Sequence, residues 1–370
     1  YPAYLESCSP SPEQAKVARN ILKCKTGAYG ANVSVCEDCG AVQIHYNSCR
    51  NRCCPMCQAV PKEMWMDARR EDVLDAPYFH LVFTVPDILN PVIYSNQRLL
   101  YDALYHAASS TISELTADPK HLGAKVGYIC ILHTWGSEMN FHPHIHTILL
   151  GGGLASNNQW KDNGENFFLP IRVISKMFRG KYLEELKRLW EEDKLVFHGT
   201  AEKFRNHYTF KELLDSCYGM DWIPHCKKTF NGAQTVIKYL GKYTHRIAVS
   251  NHRIVRMDDD TVTFLVKDYR NEGQWKELTI SGVEFVRRFL MHVPPRRFVR
   301  IRHYGLLCSR TKSQKLTLCR NLLGCKKYLS KLRDMEMPEI LEHLYGIKVC
   351  VCKACGGHLG KPQMRMPLRC

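Results

Sequence analysis

The chain is short of acid: 36 Asp and Glu stand against 52 Lys and Arg, leaving a formal charge of +16. From Arg287 to Arg333 there is no acidic residue at all, against fourteen Lys and Arg. A field of that sign repels cationic partners and points to a polyanion. Long apolar runs are missing too. None reaches the roughly 18 residues that a membrane helix needs, so no membrane span is expected. No Gly-x4-Gly-Lys-Ser/Thr occurs, which excludes an ATP-driven helicase. Nor do the scattered acids single out an Asp-Asp-Glu integrase centre. No signal-peptide pattern opens the chain, which begins on Tyr1 without a methionine, so a trimmed start is expected.

Cysteine, by contrast, is plentiful. Eighteen cysteines in clustered Cys-x2-Cys spacing suit thiolates on metal in a reducing, cytoplasmic compartment better than disulfides. Residues 1–75 read as a separate zinc module. Ser11-Pro12-Glu13-Gln14 starts a helix, with a hydroxyl cap, Pro at the first helical position and Gln placed for a capping box. Cys36-x2-Cys39 and Cys54-x2-Cys57 follow, separated by 14 residues. Two such knuckles can give four thiolates to one tetrahedral zinc, and so little apolar sequence lies between them that it needs the ion to fold. Cys24, His45, Cys49 and Cys53 remain for a second zinc. Arg50 and Arg52, set between the ligands, offer charge to phosphate. At the far end, Cys350-x-Cys352-x2-Cys355, with Cys325, His358 and Cys370 available, predicts a small C-terminal zinc site. One to three structural ions are expected in all.

Between these ends lies His142-Pro-His-Ile-His146, on a run rich in Ile and Leu that reads as a strand. Strand side chains alternate, so His144 and His146 share a face with Cα atoms about 7 Å apart, within reach of one divalent cation. His142, about 13 Å from His146 by the same rise, cannot easily join them. Lys125 to Trp135 reads as a second strand, and Gly136-Ser-Glu-Met-Asn140 has turn composition. A hairpin about residues 138–139 sets His133 opposite residue 144 or 145 and offers a third imidazole. Glu138, His142 and His245 are the reserve ligands. By ligand type such a site favours Mn²⁺ or a later metal, and by abundance Mg²⁺.

The surrounding pattern is strand 78–85, helix 95–115 with Leu99, Leu100, Ala103, Leu104 and Ala107 inward, the two histidine strands, and amphipathic helix 170–193. That order predicts an α+β fold, a central antiparallel sheet with helices on one face. Asn231 then opens a basic helix in which Tyr239 and Tyr243 are one turn apart, their hydroxyls leaving one face. Lys238, Lys242 and Arg246 are its cations. A metal beside two phenols on a basic protein is suited to attack on a phosphodiester: the metal polarises a phosphoryl oxygen and a deprotonated phenol is a nucleophile. Beyond it, residues 247–257 and 261–269 alternate around Asp258–Asp260 as a hairpin, and Ser281 with Glu284 forms a capping box for a helix through Leu290. Arg296, Arg297, Arg300, Arg302, Arg310, Lys312 and Lys315 are the phosphate-contact candidates, positioning DNA without reading its sequence.

Four stretches together resemble one family. They are Cys36 to Cys57 with Ser48-Cys-Arg-Asn-Arg-Cys-Cys-Pro55; His133-Thr-Trp-Gly136 with His142-Pro-His-Ile-His146; Tyr239-Leu-Gly-Lys-Tyr-Thr-His-Arg246 with Ser250-Asn-His252; and Arg302-His-Tyr-Gly305. The chain is similar to the rolling-circle transposases of the insertion-sequence ninety-one family, members of the HUH endonuclease class. The resemblance implies that His144 and His146 bind the catalytic Mg²⁺ or Mn²⁺ and that Tyr239 and Tyr243 are paired nucleophiles. It implies nicking of single-stranded DNA at transposon ends and target, a 5′-phosphotyrosine link and a free 3′-OH. Cys53 stands where the family pattern has His. The domains expected are 1–75 (zinc module), 76–256 (nuclease), 257–305 (its hairpin and helix extension) and 306–370 (basic region and Cys-rich tail). Two other readings compete. His142-Pro-His-Ile-His also resembles a histidine-triad nucleotide hydrolase, which needs neither the knuckles nor the basic stretch. A zinc-dependent DNA binder without catalysis would make the histidine hairpin merely structural.

Overall fold

The computed structural model describes residues 1–162, 169–222, 224–230, 236, 241, 247–268 and 271–366. The N-terminal part carries α1 (Pro2–Ser7), α2 (Pro12–Leu22), the antiparallel pair β1 (Ala31–Val35) and β2 (Val42–Tyr46), and α3 (Ala59–Arg70). Ser11 caps α2 as its composition predicts, accepting from Gln14 N while the Gln14 side chain returns to Ser11 N. In these two short strands only Ala31 and Ser34 are buried, so the thiols described below must hold them.

The central sheet follows. Its strands are β3 (Tyr78–Thr84), β4 (Lys125–Trp135), β5 (Phe141–Leu154), β6 (Trp160–Asp162), β7 (His225–Phe230) and β11 (Ile301–Gly305). Their order is β11-β4-β5-β3-β7, antiparallel throughout, with β6 continuing beside β5. Gly152 and Gly153 let β5 be crowded on both edges: a Cβ at Gly152 would fall 2.4 Å from the Trp160 ring, and one at Gly153 2.4 Å from the Lys125 carbonyl.

One sheet face carries Phe79, Leu81, Phe83, Tyr128, Cys130, Leu132, Ile145 and Leu149 and makes the main core with α5 (Gln97–Ala117), α6 (Ile171–Glu191) and α7 (His207–Gly219). The helix expected over 95–115 is α5, which starts after Asn96; that residue separates it from the short α4 (Asn90–Ser95) and spends its side chain on the carbonyls of Val92 and Val196. Leu99 is turned outward at 37% exposure, one position off the stripe formed by Leu100, Ala103, Leu104 and Ala107. The opposite face carries Ile129, Ile131, Ile148 and Leu150. It is covered over part of its length by Trp65 and Met66 of α3 and by Leu316 and Cys319 of α9 (Lys312–Leu323). Helices therefore lie on both faces, the long ones on one.

An extension packs beside the sheet: β8 (Ile254–Met257), β9 (Thr261–Asp268), β10 (Gln274–Ser281) and α8 (Gly282–Met291). The first strand begins at Ile254 rather than 247, since Ile247, Ala248 and Val249 turn inward to the extension's own core. Ser281 caps α8, but Glu284 does not return to close the box. Its carboxylate takes Arg287 and Arg288 instead. Finally α10 (Met337–Tyr345) and β12 (Gln363–Arg365) bring the chain back to the N-terminal strands, where β12 pairs with β1. No helix among the described residues is long and apolar enough to cross a membrane.

Candidate metal centre and nucleic-acid interface

The β4–β5 register sets His133 opposite His144 and Ile131 opposite His146. Alternation then places His133, His144 and His146 on one face, in line with Ile129, Ile131, Ile148 and Leu150. All three are buried, and their ligand atoms lie within 4.8 Å of one another. His144 Nε2 and His146 Nε2 are 3.1 Å apart, the separation expected of two imidazoles at a right angle around a cation about 2.1 Å from each. The Nδ1 of His144 donates to the His142 carbonyl at 2.7 Å, which leaves the Nε2 lone pair facing the centre. Burial pushes His144 down to about 3 and holds His146 well below the ordinary imidazole range. Both rings are thus neutral, the form that ligates metal. The donor set fits a divalent cation.

Behind His146 sits a residue that the sequence did not single out. His80 on β3 places Nε2 2.8 Å from His146 Nδ1, the two rings stacked with centroids 5.1 Å apart. If His146 ligates through Nε2, its Nδ1–H donates to His80, an imidazole in the role usually taken by a carboxylate or carbonyl. The only advance signal was a histidine inside an apolar strand; which strand lies beside β5 is a tertiary matter. His80→Ala is expected to weaken Mn²⁺ binding by on the order of 10-fold, while His80→Asp, which restores an acceptor, retains it. Equal affinity in wild type and His80→Ala, measured by titration calorimetry, would remove this role.

The reserve ligands among the described residues are not in the trio's cluster, although the His142 ring lies 5.2 Å from that of His144. His142 is paired through Nδ1 with Asp87 at 3.2 Å. Glu138 is at the hairpin tip, where Oε2 accepts from Asn140. His245 lies outside the described residues, as do Tyr239, Tyr243, Lys238, Lys242 and Arg246. Of their segment, Val236 is buried on the histidine face of the sheet and Gly241 lies against Met66 of α3.

The cysteines group differently from the expected pairing. Cys24, Cys49, Cys54 and Cys57 form one cluster, and Cys36, Cys39, Cys352 and Cys355 another. Thiol separations of 3.5 Å (Cys24–Cys57), 3.6 Å (Cys49–Cys57 and Cys36–Cys355) and 3.8 Å (Cys39–Cys352) match the edges of a tetrahedron with Zn–S of about 2.3 Å. Cys36 and Cys39 do not join Cys54 and Cys57 because the β1–β2 hairpin separates them. Its five-residue strands span about 17 Å, so the two knuckles sit at opposite ends. His45 is exposed on β2 and in neither cluster. Cys53 is packed in the extension's core, where burial pushes its thiol up to about 11. Cys350 is exposed outside the second cluster, and Cys370 lies outside the described residues. Backbone amides of Cys355 and Ala354 draw the Cys352 thiol below its usual range, as a knuckle does for a zinc thiolate.

The basic candidates divide by partner. Arg52 donates to the carbonyls of Phe298 and Pro295, Arg302 pairs with Asp102, and Lys312 pairs with Asp72 at 2.8 Å. These three hold the fold together. Arg300 lies over the Trp135 ring at 5.6 Å, and Trp135 stacks on His133 at 4.4 Å. Arg50, Arg296, Arg297 and Arg310 are exposed and Lys315 is half-buried on α9.

Comparisons with known proteins extend this picture. A family model described as "Putative transposase" matches residues 127–315, and one described as "Transposase zinc-binding domain" matches residues 1–85. The chain is 39% identical to "Putative transposase y4qJ" of Sinorhizobium fredii over 94% of this chain and 88% of that one. It is 30% identical to "Transposase for insertion sequence element IS801" of Pseudomonas savastanoi pv. phaseolicola, over 82% of this chain and 72% of that one. Among solved structures, the conjugative relaxase TrwC in complex with oriT DNA matches at 14% identity and a TM-score of 0.24, covering 47% of this chain and 68% of that chain. Likeness that runs through both the cysteine module and the histidine sheet leads to one assignment: the chain belongs to the insertion-sequence ninety-one (IS91) family of transposases.

Proposed function

We propose that this transposase nicks and rejoins single-stranded DNA through a 5′-phosphotyrosine intermediate, in rolling-circle transposition. His133, His144 and His146 would hold a Mg²⁺ or Mn²⁺ ion, and Tyr239 and Tyr243 would supply the nucleophiles. The observation that carries the reading is the convergence of three buried imidazoles from two paired strands, with two Nε2 atoms 3.1 Å apart. A cation there supplies Lewis-acid polarisation of a phosphoryl oxygen. The chain's own residues do the rest. His80 orients His146, the hairpin register holds His133 against His144, and exposed guanidiniums of Arg50, Arg296, Arg297 and Arg310 bind backbone phosphates. One phenol attacks phosphorus and expels the 3′ oxygen, and the reverse step rejoins the strand.

The test is a covalent-trapping assay. Labelled single-stranded DNA carrying the element's end, incubated with Mg²⁺ or Mn²⁺, is expected to yield a protein–DNA adduct that survives denaturation. His144→Ala with His146→Ala should lose it. Cleavage that continues undiminished in excess chelator would take the metal out of the mechanism.

A further inference from the structure

The turn that joins the two histidine strands is held from outside to an unusual degree. Three consecutive carbonyls, those of Ser137, Glu138 and Met139, are each taken by a different side chain of the extension. Arg253 donates to Ser137 O, Arg288 to Glu138 O at 2.9 Å, and His292 Nε2 to Met139 O at 2.9 Å. The backbone of β9 adds a fourth tie, Lys267 N to Ser137 Oγ. Through its other nitrogen, Nδ1, His292 accepts from the Thr134 hydroxyl at 3.1 Å, so one ring ties β4 to the turn next to His133. Arg253 and His292 are themselves buried, at 6% and 3% exposure.

Met139 gives an independent sign. Its φ is +59°, a left-handed conformation that a side chain resists. Yet its side chain is fully buried in the extension's core among Ala248, Phe264 and Val293. A strained, plugged residue at a turn persists only where the surroundings over-determine it. The turn matters because it sets register. A one-residue slip of β4 against β5 would send His144 to the opposite face from His133 and dissolve the trio.

We propose that the extension, residues 250–293, is a register clamp on the histidine hairpin, with Met139, Arg253, Arg288 and His292 as positioning residues for the three imidazoles. The proposal rests on the reading that those imidazoles hold a cation. It goes further by making the metal centre depend on a separate module that supplies none of the three imidazoles.

The experiment uses the full chain with Met139→Ala and, separately, His292→Phe, which keeps a ring but loses both hydrogen bonds. Two quantities are read: Mn²⁺ affinity by electron paramagnetic resonance, and amide hydrogen exchange over residues 133–146. The clamp requires Mn²⁺ binding weakened on the order of 10-fold and exchange accelerated in the hairpin, with α2 and the cysteine clusters unchanged. Met139→Leu, which keeps the plug, should restore both. Hairpin exchange no faster than in wild type, or acceleration spread evenly over the chain, would overturn the proposal. If His146→Ala leaves wild-type Mn²⁺ binding unaltered, the metal reading fails, and the exchange result still decides the clamp by itself.

Discussion

Replacing Tyr239 and Tyr243 together by phenylalanine is expected to abolish the denaturation-resistant DNA adduct, a loss on the order of 10⁴-fold or more, as when other covalent nucleophiles are removed. The substitution keeps each ring and removes only the hydroxyl. Single-stranded DNA should still bind, as fluorescence anisotropy would show. Each single change is expected to leave a partial signal. The spacing of four residues, read as a helix, would let either phenol approach one phosphate when its neighbour is missing. An adduct that survives the double change would leave the histidine centre without its proposed nucleophiles and favour a zinc-stapled DNA binder.

The second large effect concerns zinc. Cys36→Ser and Cys352→Ser are expected to remove the same ion, and Cys54→Ser a different one, because the thiols partition as two clusters, one of which joins the two ends of the chain. A structural zinc contributes about 10–16 kcal/mol to folding of a small module, and the strands around these clusters have few other apolar contacts. Loss of Cys54 should therefore expose residues 1–75 to protease. Loss of Cys352 should release β12 from β1, opening the segment beyond α10 while the central sheet stays protected. Two zinc ions per wild-type chain and one in each variant, measured by atomic emission, is the predicted outcome. If Cys36→Ser and Cys54→Ser remove the same ion, and Cys352→Ser removes none, the knuckles pair along the sequence after all and the cross-chain cluster is wrong.

Much of the site was legible in the residues. A two-residue period puts His144 and His146 on one face wherever that strand lies, and turn composition at Gly136–Asn140 brings His133 back opposite them. The long helices α5 and α6 announced themselves by apolar spacing, although Asn96 set the start of the first and Leu99 faces outward from it. The cysteine partition was not legible. The spacing of two knuckles looks the same whether they share an ion or sit at opposite ends of a hairpin. Nor did charge separate Arg52, Arg302 and Lys312, which bind protein groups, from Arg50, Arg296, Arg297 and Arg310 at the surface.

By itself the sequence determined what local geometry can determine: which side chains share a strand face, where helices are capped, and the sign of the field offered to a partner. Backbone rise and period are fixed within an element, so those relations hold in any fold that keeps the element. Only the tertiary structure decided that His80 backs His146, that Cys352 and Cys355 complete a cluster begun by Cys36 and Cys39, and that three carbonyls of one turn are held by the extension. Each of these is a meeting of segments far apart in the chain, set by the path through the sheet and by which faces exclude water together.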